Sequence, residues 1–410
     1  MALGRHLQRA ALNPVAQRKG VVAPLALILG VAVLAAGAWW YLHPQAGSLA
    51  LKTVRFADLP GWSASDPRAA LAAFQHSCSA MAAKSDADTM GSYAGKAGDW
   101  RAACATAAKT APAAARAFFE TAFTPVEVRA GRLEEGRFTG YYEPQIAGSH
   151  TRHGTYQTPV YGRPDDLITV ELGAFRPALA GEAIAGRLEG SKLVPYPARA
   201  DIAAKGLARA PILFYTNDPI QLFFLHIQGS GRVVFENGSQ ARVAYASQNG
   251  QPYTAVGKTL IAKGVPKDGM SLQVIRAWLK DHPSEAEGVM NADASYVFFA
   301  LQPLGDAAFG AKGAQGVALT PLASLAVDPR LHALGTPFFV AGPYPLGRLF
   351  VAQDIGGAIR GPIRGDVYFG YGAKAEANAG TMNQMGRFYA LLPKAVAQRL
   401  ASSPLVSGGP

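Results

Sequence analysis

From Gly131 to the end of the chain, apolar residues come in short runs divided by turn-forming residues, a pattern that selects strands over long helices. The runs include Arg137 to Tyr142, Ile212 to Tyr215, Leu222 to Ile227, Arg232 to Phe235 and Tyr296 to Phe299. The last third adds Phe338 to Val340, Leu349 to Ala352, Val367 to Phe369 and Phe388 to Leu392. Asn237-Gly238 and Asn249-Gly250 are turn signals between runs. Only Ser271 to Leu279 breaks the pattern with helical spacing. The 45 Gly, 28 Pro and 16% charged residues suit this loop-rich β reading, and 410 residues at 49% hydrophobic content suffice for a core. No fixed-period repeat is present, which argues against solenoids and propellers.

The N-terminal part reads differently. Arg5, Arg9, Arg18 and Lys19 precede a charge-free run from Val21 to Leu42, long enough to span a bilayer, with Trp39, Trp40 and Tyr41 at its far end. The positive-inside rule then places the bulk of the chain outside the cytoplasm, anchored to the inner membrane. Ala36-Gly37-Ala38 also fits a cleavage site, so a removed signal peptide is the alternative, with a periplasmic or outer-membrane-associated product. Much of the +11 net charge lies in this leader; the remaining basic residues are scattered, which gives nucleic acid no binding patch.

Beyond a linker, Asp66 and Pro67 read as the start of a helix that carries Leu71, Phe74, Cys78 and Met81 on one face. A second helix from Asp99 carries Trp100, Cys104 and Ala107 on one face. Cys78 and Cys104 are the only cysteines, and in an exported chain such a pair reads as a disulfide, with two buried free thiols as the alternative.

Three aspartates follow apolar runs in the last third: Asp328 before Pro329, Asp354 before Ile355-Gly356-Gly357, and Asp366 at the head of Val367-Tyr368-Phe369. A carboxylate at a strand end beside glycines suits a groove that a polymer backbone approaches closely, although Asp-Pro and Asp-x-Gly also make ordinary turns. Other chemistries find less support. Gly370-Tyr371-Gly372 imitates a dinucleotide fingerprint, but no acidic residue follows Glu376 to hold a ribose. His150 and His153 have no third ligand in view, and Gln228-Gly229-Ser230-Gly231 lacks the spacing of a nucleophile elbow. No metal or cofactor is implied.

The segments Phe138 to Pro144, Ile227 to Gly231, Tyr245 through Asn249-Gly250 to Tyr253, Ser324 to Pro329, and Ala352 to Gly361 ending at Asp366 resemble, in order, the membrane-bound lytic murein transglycosylase A family with its C-terminal three-aspartate domain. The resemblance implies a mainly β fold, a double-psi β-barrel with an inserted second β domain; the Ala-rich helices and membrane segment that precede it are read from the residues, and the long Ala-rich part with its Cys pair departs from the family pattern. The implied boundaries are leader and anchor 1–42, linker 43–64, helices and first barrel part 65–145, inserted β domain 146–300, second barrel part 301–395 and tail 396–410. The implied activity is cleavage of peptidoglycan glycan strands between N-acetylmuramic acid and N-acetylglucosamine without water, leaving 1,6-anhydromuramoyl ends. Proteins of cell-wall synthesis or division are the partner class that such an activity suggests.

In this reading Asp366 is the catalytic acid and base and Asp354 its companion. Tyr141, Tyr142, Glu143, Gln228, Gly229, Ser230, Asp328, Gly356 and Gly357 are the candidate substrate-binding residues. One carboxyl suffices because the sugar's own C6 hydroxyl is the nucleophile, whereas ordinary glycosidases need two carboxylates and water. Serving as an acid near neutrality requires a pKa above the unperturbed value of about 3.9. Two alternatives stay open: an inverting β-glucan hydrolase using both aspartates, and a non-catalytic wall-binding module.

Overall fold

A computed structural model describes residues 48–179, 182–306 and 308–402. The expected anchor lies outside them; among the described residues no helix is long and apolar enough to cross a membrane. In chain order the strands are β1 (Leu49–Thr53), β2 (Phe123–Ala130), β3 (Glu135–Glu143), β4 (Gln145–Gly148), β5 (Thr158–Tyr161) and β6 (Ile168–Glu171). Next come β7 (Ala183–Glu189), β8 (Lys192–Pro195), β9 (Ile212–Thr216), β10 (Gly231–Phe235), β11 (Gln240–Gln248) and β12 (Val297–Gln302). The last are β13 (Ser324–Val327), β14 (Pro337–Ala341), β15 (Arg348–Ile355), β16 (Arg364–Tyr371) and β17 (Asn383–Pro393).

Six of these close into a barrel in the order β17-β14-β15-β13-β16-β3, with β3 returning to β17. Closure works because β17 is long enough to change partner along its length. Asn383 to Arg387 pair with β3, while Phe388 to Pro393 pair with β2, which extends the sheet outward to β1. The pairs β13–β15 and β16–β3 are parallel and the other four antiparallel. β13 and β14 are buried along their whole length, which explains their unbroken apolar sequences. Inside, Phe338 stacks on Phe388 with ring centroids 4.3 Å apart.

The helix Arg68–Ala82 lies against β15, and its Phe74 meets the rings of Trp100, Phe118, Phe119 and Phe123. Cys78 and Cys104 form a disulfide across to the helix Arg101–Ala107, with Cα atoms 5.4 Å apart. A second β region holds the sheet β12-β11-β10-β4 and the smaller sheets β5-β9 and β6-β7-β8.

The two regions meet where β3 runs through Pro144 into β4, and the joint is a buried ion cluster. Glu143 is fully buried; it accepts from Arg232 Nε at 2.9 Å and the Ala311 amide at 2.7 Å, and also pairs with Arg242. A buried carboxylate so surrounded is satisfied only when barrel and second region are docked. Glu143 is therefore a joint between regions.

Several sequence expectations need correction. Leu222 to Ile227 is helix, within Pro219–Gln228, and not strand. Asp218 caps it by accepting from the Gln221 amide, Pro219 opens it and Gly229 closes it in the left-handed conformation. Its middle is buried from Leu222 to His226, so no polar face betrays the helical period. The presumed linker 43–64 contains β1, which pairs with β2, and buries Trp62. The helical stretch expected at Ser271 to Leu279 is the helix Leu272–Asp281, but Val256–Ala262 and Pro283–Asn291 are helices as well, so the second region is less purely β than expected. The expected tail begins within the helix Lys394–Ser402, which buries Val396 and Ala397.

Candidate active site

Between the barrel wall and the four-stranded sheet lies a cleft with a cavity of about 360 Å³. Its barrel side is made by three adjacent strands. Ala326 of β13 pairs with Asp354 of β15 on one side and with Asp366 of β16 on the other. Residues directly opposite one another share a face, so both carboxyls rise into the cleft on either side of a methyl group. Two strand spacings put their backbones roughly 9–10 Å apart.

Asp366 is held by one bond. Thr139, its partner in β3, donates its hydroxyl to Asp366 Oδ1 at 2.6 Å, and Arg364 Nη2 donates to that same hydroxyl oxygen at 2.9 Å. Arg364 thereby fixes the direction of the Thr139 proton. Oδ2 carries no hydrogen bond among the described residues. Burial raises the Asp366 pKa above the usual carboxylate range, against the Thr139 bond and the Arg364 charge, which lower it.

Asp354 is more fully bound. Oδ1 accepts from the Ala314 amide at 2.9 Å and the Ile355 amide at 3.0 Å, and Oδ2 accepts from the Tyr141 hydroxyl at 2.9 Å. Its pKa is also raised, chiefly by burial and in smaller part by the Asp366 charge; these donors oppose the rise without cancelling it. Across the cleft stand Gln248, Tyr245 and Tyr253, the two tyrosines 52% and 40% exposed. The loop Gly356-Gly357-Ala358 forms one rim, and a Cβ on Gly357 would meet nothing within 4 Å. Such a bare rim admits a polymer chain.

A family model described as the MltA specific insert domain matches residues 137–300, and another, the 3D domain, matches residues 323–392. Membrane-bound lytic murein transglycosylase A of Escherichia coli K12 is 37% identical over 270 residues, which are 62% of this chain and 65% of that protein. The match thus spans just under two thirds of that relative. The crystal structure of a membrane-bound lytic murein transglycosylase from Agrobacterium tumefaciens superposes with a TM-score of 0.76 at 31% identity, covering 85% of this chain and 99% of that one. The chain belongs to the membrane-bound lytic murein transglycosylase A family. A structure of the Escherichia coli family member MltA with bound chitohexaose is also similar, at TM-score 0.55 and 29% identity over 72% of this chain and 83% of that one.

Against this family fold, the residues singled out by sequence sort into two groups. Asp354, Asp366, Tyr141, Gln228, Gly229, Gly356 and Gly357 line the cleft. Tyr141 is nonetheless buried, its hydroxyl on Asp354 and its ring 5.2 Å from that of Tyr368, so it braces a carboxylate and offers no open face to a sugar. Gln228 closes the Pro219–Gln228 helix and accepts from the Tyr142 amide at 3.0 Å.

Tyr142, Glu143, Ser230 and Asp328 do not line it. Side chains alternate along β3, so Thr139 and Tyr141 share the cleft face while Tyr142 points away, receiving a bond from Arg276 at 3.3 Å. Asp328, fully buried, accepts from the Gly361 amide at 2.8 Å and pairs with Arg330 at 2.7 Å, which ties the end of β13 to the loop before β16. Tyr142, Glu143 and Asp328 are corrected from substrate contacts to supports, and Ser230 lies outside the cleft lining. Thr139, Arg364, Tyr245, Tyr253 and Ala326 were given no role at the site, although Tyr245 and Tyr253 delimit one of the segments that carry the family resemblance. The alternation of β3 is the signal that finds Thr139, since it lies two residues from Tyr141; strand pairing, invisible in sequence, places Ala326 between the two aspartates.

Proposed function

We propose that this chain is a lytic transglycosylase of peptidoglycan, cleaving the β-1,4 bond between N-acetylmuramic acid and N-acetylglucosamine without water. The observation that carries the reading is Asp366: a carboxyl in the cleft with a pKa raised by burial, one oxygen oriented by Thr139 and the other open. Protonated Asp366 gives its proton to the glycosidic oxygen as the C1–O bond breaks, and N-acetylglucosamine leaves with a free 4-hydroxyl. The O6 hydroxyl of the muramoyl residue then bonds to C1 and returns its proton to the Asp366 carboxylate, closing the 1,6-anhydro ring. Asp354 stabilises positive charge developing at C1. Gln228, Gly229, Gly356 and Gly357 position the glycan, and Tyr245 and Tyr253 give its sugar rings flat surfaces.

The bonding of Asp354 favours this over the inverting hydrolase. Three donors already fill three of the roughly four lone-pair sites of the Asp354 carboxylate, which leaves little of its basicity for activating a water. The chitohexaose bound by E. coli MltA supports a β-linked amino-sugar polymer as ligand. We read the barrel as double-psi, a form that its two parallel pairs support. We place the protein in the cell envelope, with Val21 to Leu42 as anchor and cell-wall synthesis or division proteins as the partner class; the membrane-bound relatives support the envelope location.

The test is mass spectrometry of products from purified murein with the wild type and Asp366→Asn. The expected muropeptides are lighter than hydrolytic products by about 18 Da, one water, and are absent with the variant. Products carrying that water, or full activity of the variant, overturn the proposal.

A further inference from the structure

The residue before Asp354 is glutamine, fully buried, with no access to the cleft. A buried primary amide in a strand is costly unless every polar atom is partnered. Here each is. Gln353 Nε2 donates to Ala73 O and to Ser77 Oγ, both at 2.8 Å, and Oε1 accepts from Ser324 Oγ at 2.5 Å. Ser77 Oγ, accepting from Gln353, donates in turn to Gln315 Oε1 at 2.7 Å. The Gln315 amide donates back to Gln353 O at 3.1 Å, and the neighbouring Ala314 amide is the one that reaches Asp354 Oδ1. A closed circuit thus joins the helix Arg68–Ala82, the segment 313–316 and β15 at the residue beside Asp354.

We propose that Gln353 and Ser77 are positioning residues for Asp354. They touch no substrate. They hold the segment 313–316 so that the Ala314 amide stays on the Asp354 carboxylate, and so act on the reaction through that carboxylate. This rests on the function proposed above only for its kinetic consequence; the structural consequence stands apart from it. The same circuit gives the helical part, with Cys78 next to Ser77, a role at the site.

The test uses the full-length chain with Ser77→Ala, the milder change, and Gln353→Met. Amide hydrogen exchange in 313–316 is expected to speed by about tenfold in both. On murein, kcat is expected to fall by about tenfold with KM within about twofold. The acidic limb of the pH profile should move to higher pH, because the lost Ala314 bond favoured ionised Asp354. Unchanged exchange in 313–316 of Ser77→Ala overturns the proposal, as does a kcat loss matched by the fall in Tm with an unmoved acidic limb. A wild type that leaves murein intact overturns the proposed function instead, while the exchange result still decides the positioning role.

Discussion

Asp328, just past the end of β13, and the pair Asp354–Asp366, on β15 and β16, belong to neighbouring strands of one barrel and end in opposite electrostatic states. Burial tends to raise all three pKa values. At Asp328 it is outweighed by the Arg330 guanidinium and the amides of Gly361 and Arg330, so the pKa falls below its usual value. At Asp354 and Asp366 the donors are neutral, or a charge stands off behind a threonine, and burial wins. The protein spends a full ion pair where a carboxylate fastens a loop, and withholds one where a carboxyl must hold and release a proton.

That contrast can be broken experimentally. Asp366→Asn is expected to cost at least about 10³-fold in murein cleavage with Tm unchanged or higher, since it removes a group whose ionised form is poorly matched to its site. Product release and thermal unfolding on one preparation check this. Asp328→Ala is expected to do the reverse. It strands the Gly361 amide and loses the Arg330 pair, for about 1–3 kcal/mol of stability in denaturant, while the folded fraction keeps its kcat within about threefold. A large kcat loss at full stability would make Asp328 a site residue after all.

Thr139→Val sharpens the comparison further. The Thr139 bond lowers the Asp366 pKa, so losing it raises that pKa, moves the alkaline limb of the rate profile upward and reduces kcat by about tenfold through lost orientation. The smallest effect is on stability against pH. Asp354 and Asp366 hold protons in the folded state over a range above about 3.9 in which the unfolded chain has lost them, so their contribution to stability declines as pH rises through that range. Asp328 is the opposite: its contribution is present above the unfolded value and is lost as pH falls through its lower folded pKa. Unfolding free energies of Asp354→Asn/Asp366→Asn and of Asp328→Asn should therefore flatten opposite slopes.

The barrel strands were readable because a strand buried on both faces leaves an unbroken apolar run, as in Phe338 to Val340 and Leu349 to Ala352. The Pro219–Gln228 helix was not, since burial on all sides erases its period, although Asp218, Pro219 and Gly229 punctuate it. At the site, the family motifs drew attention to both aspartates, and Asp328-Pro329 already reads as a turn where Asp366 heads a strand, but local sequence does not show what each carboxyl meets. The difference lies in Arg330 folding back on Asp328 and in Ala326 standing between the other two. Tyr141 and Tyr142 look alike in sequence, yet strand alternation sends them to opposite faces.

The most direct test of the central claim is cleavage of murein by the wild type in water enriched in heavy oxygen, with the new sugar ends read by mass spectrometry. The account predicts anhydromuramoyl ends carrying none of the label, because the nucleophile is the sugar's own O6. Label incorporated at C1 of the released muramoyl ends in the initial products would contradict it and establish hydrolysis.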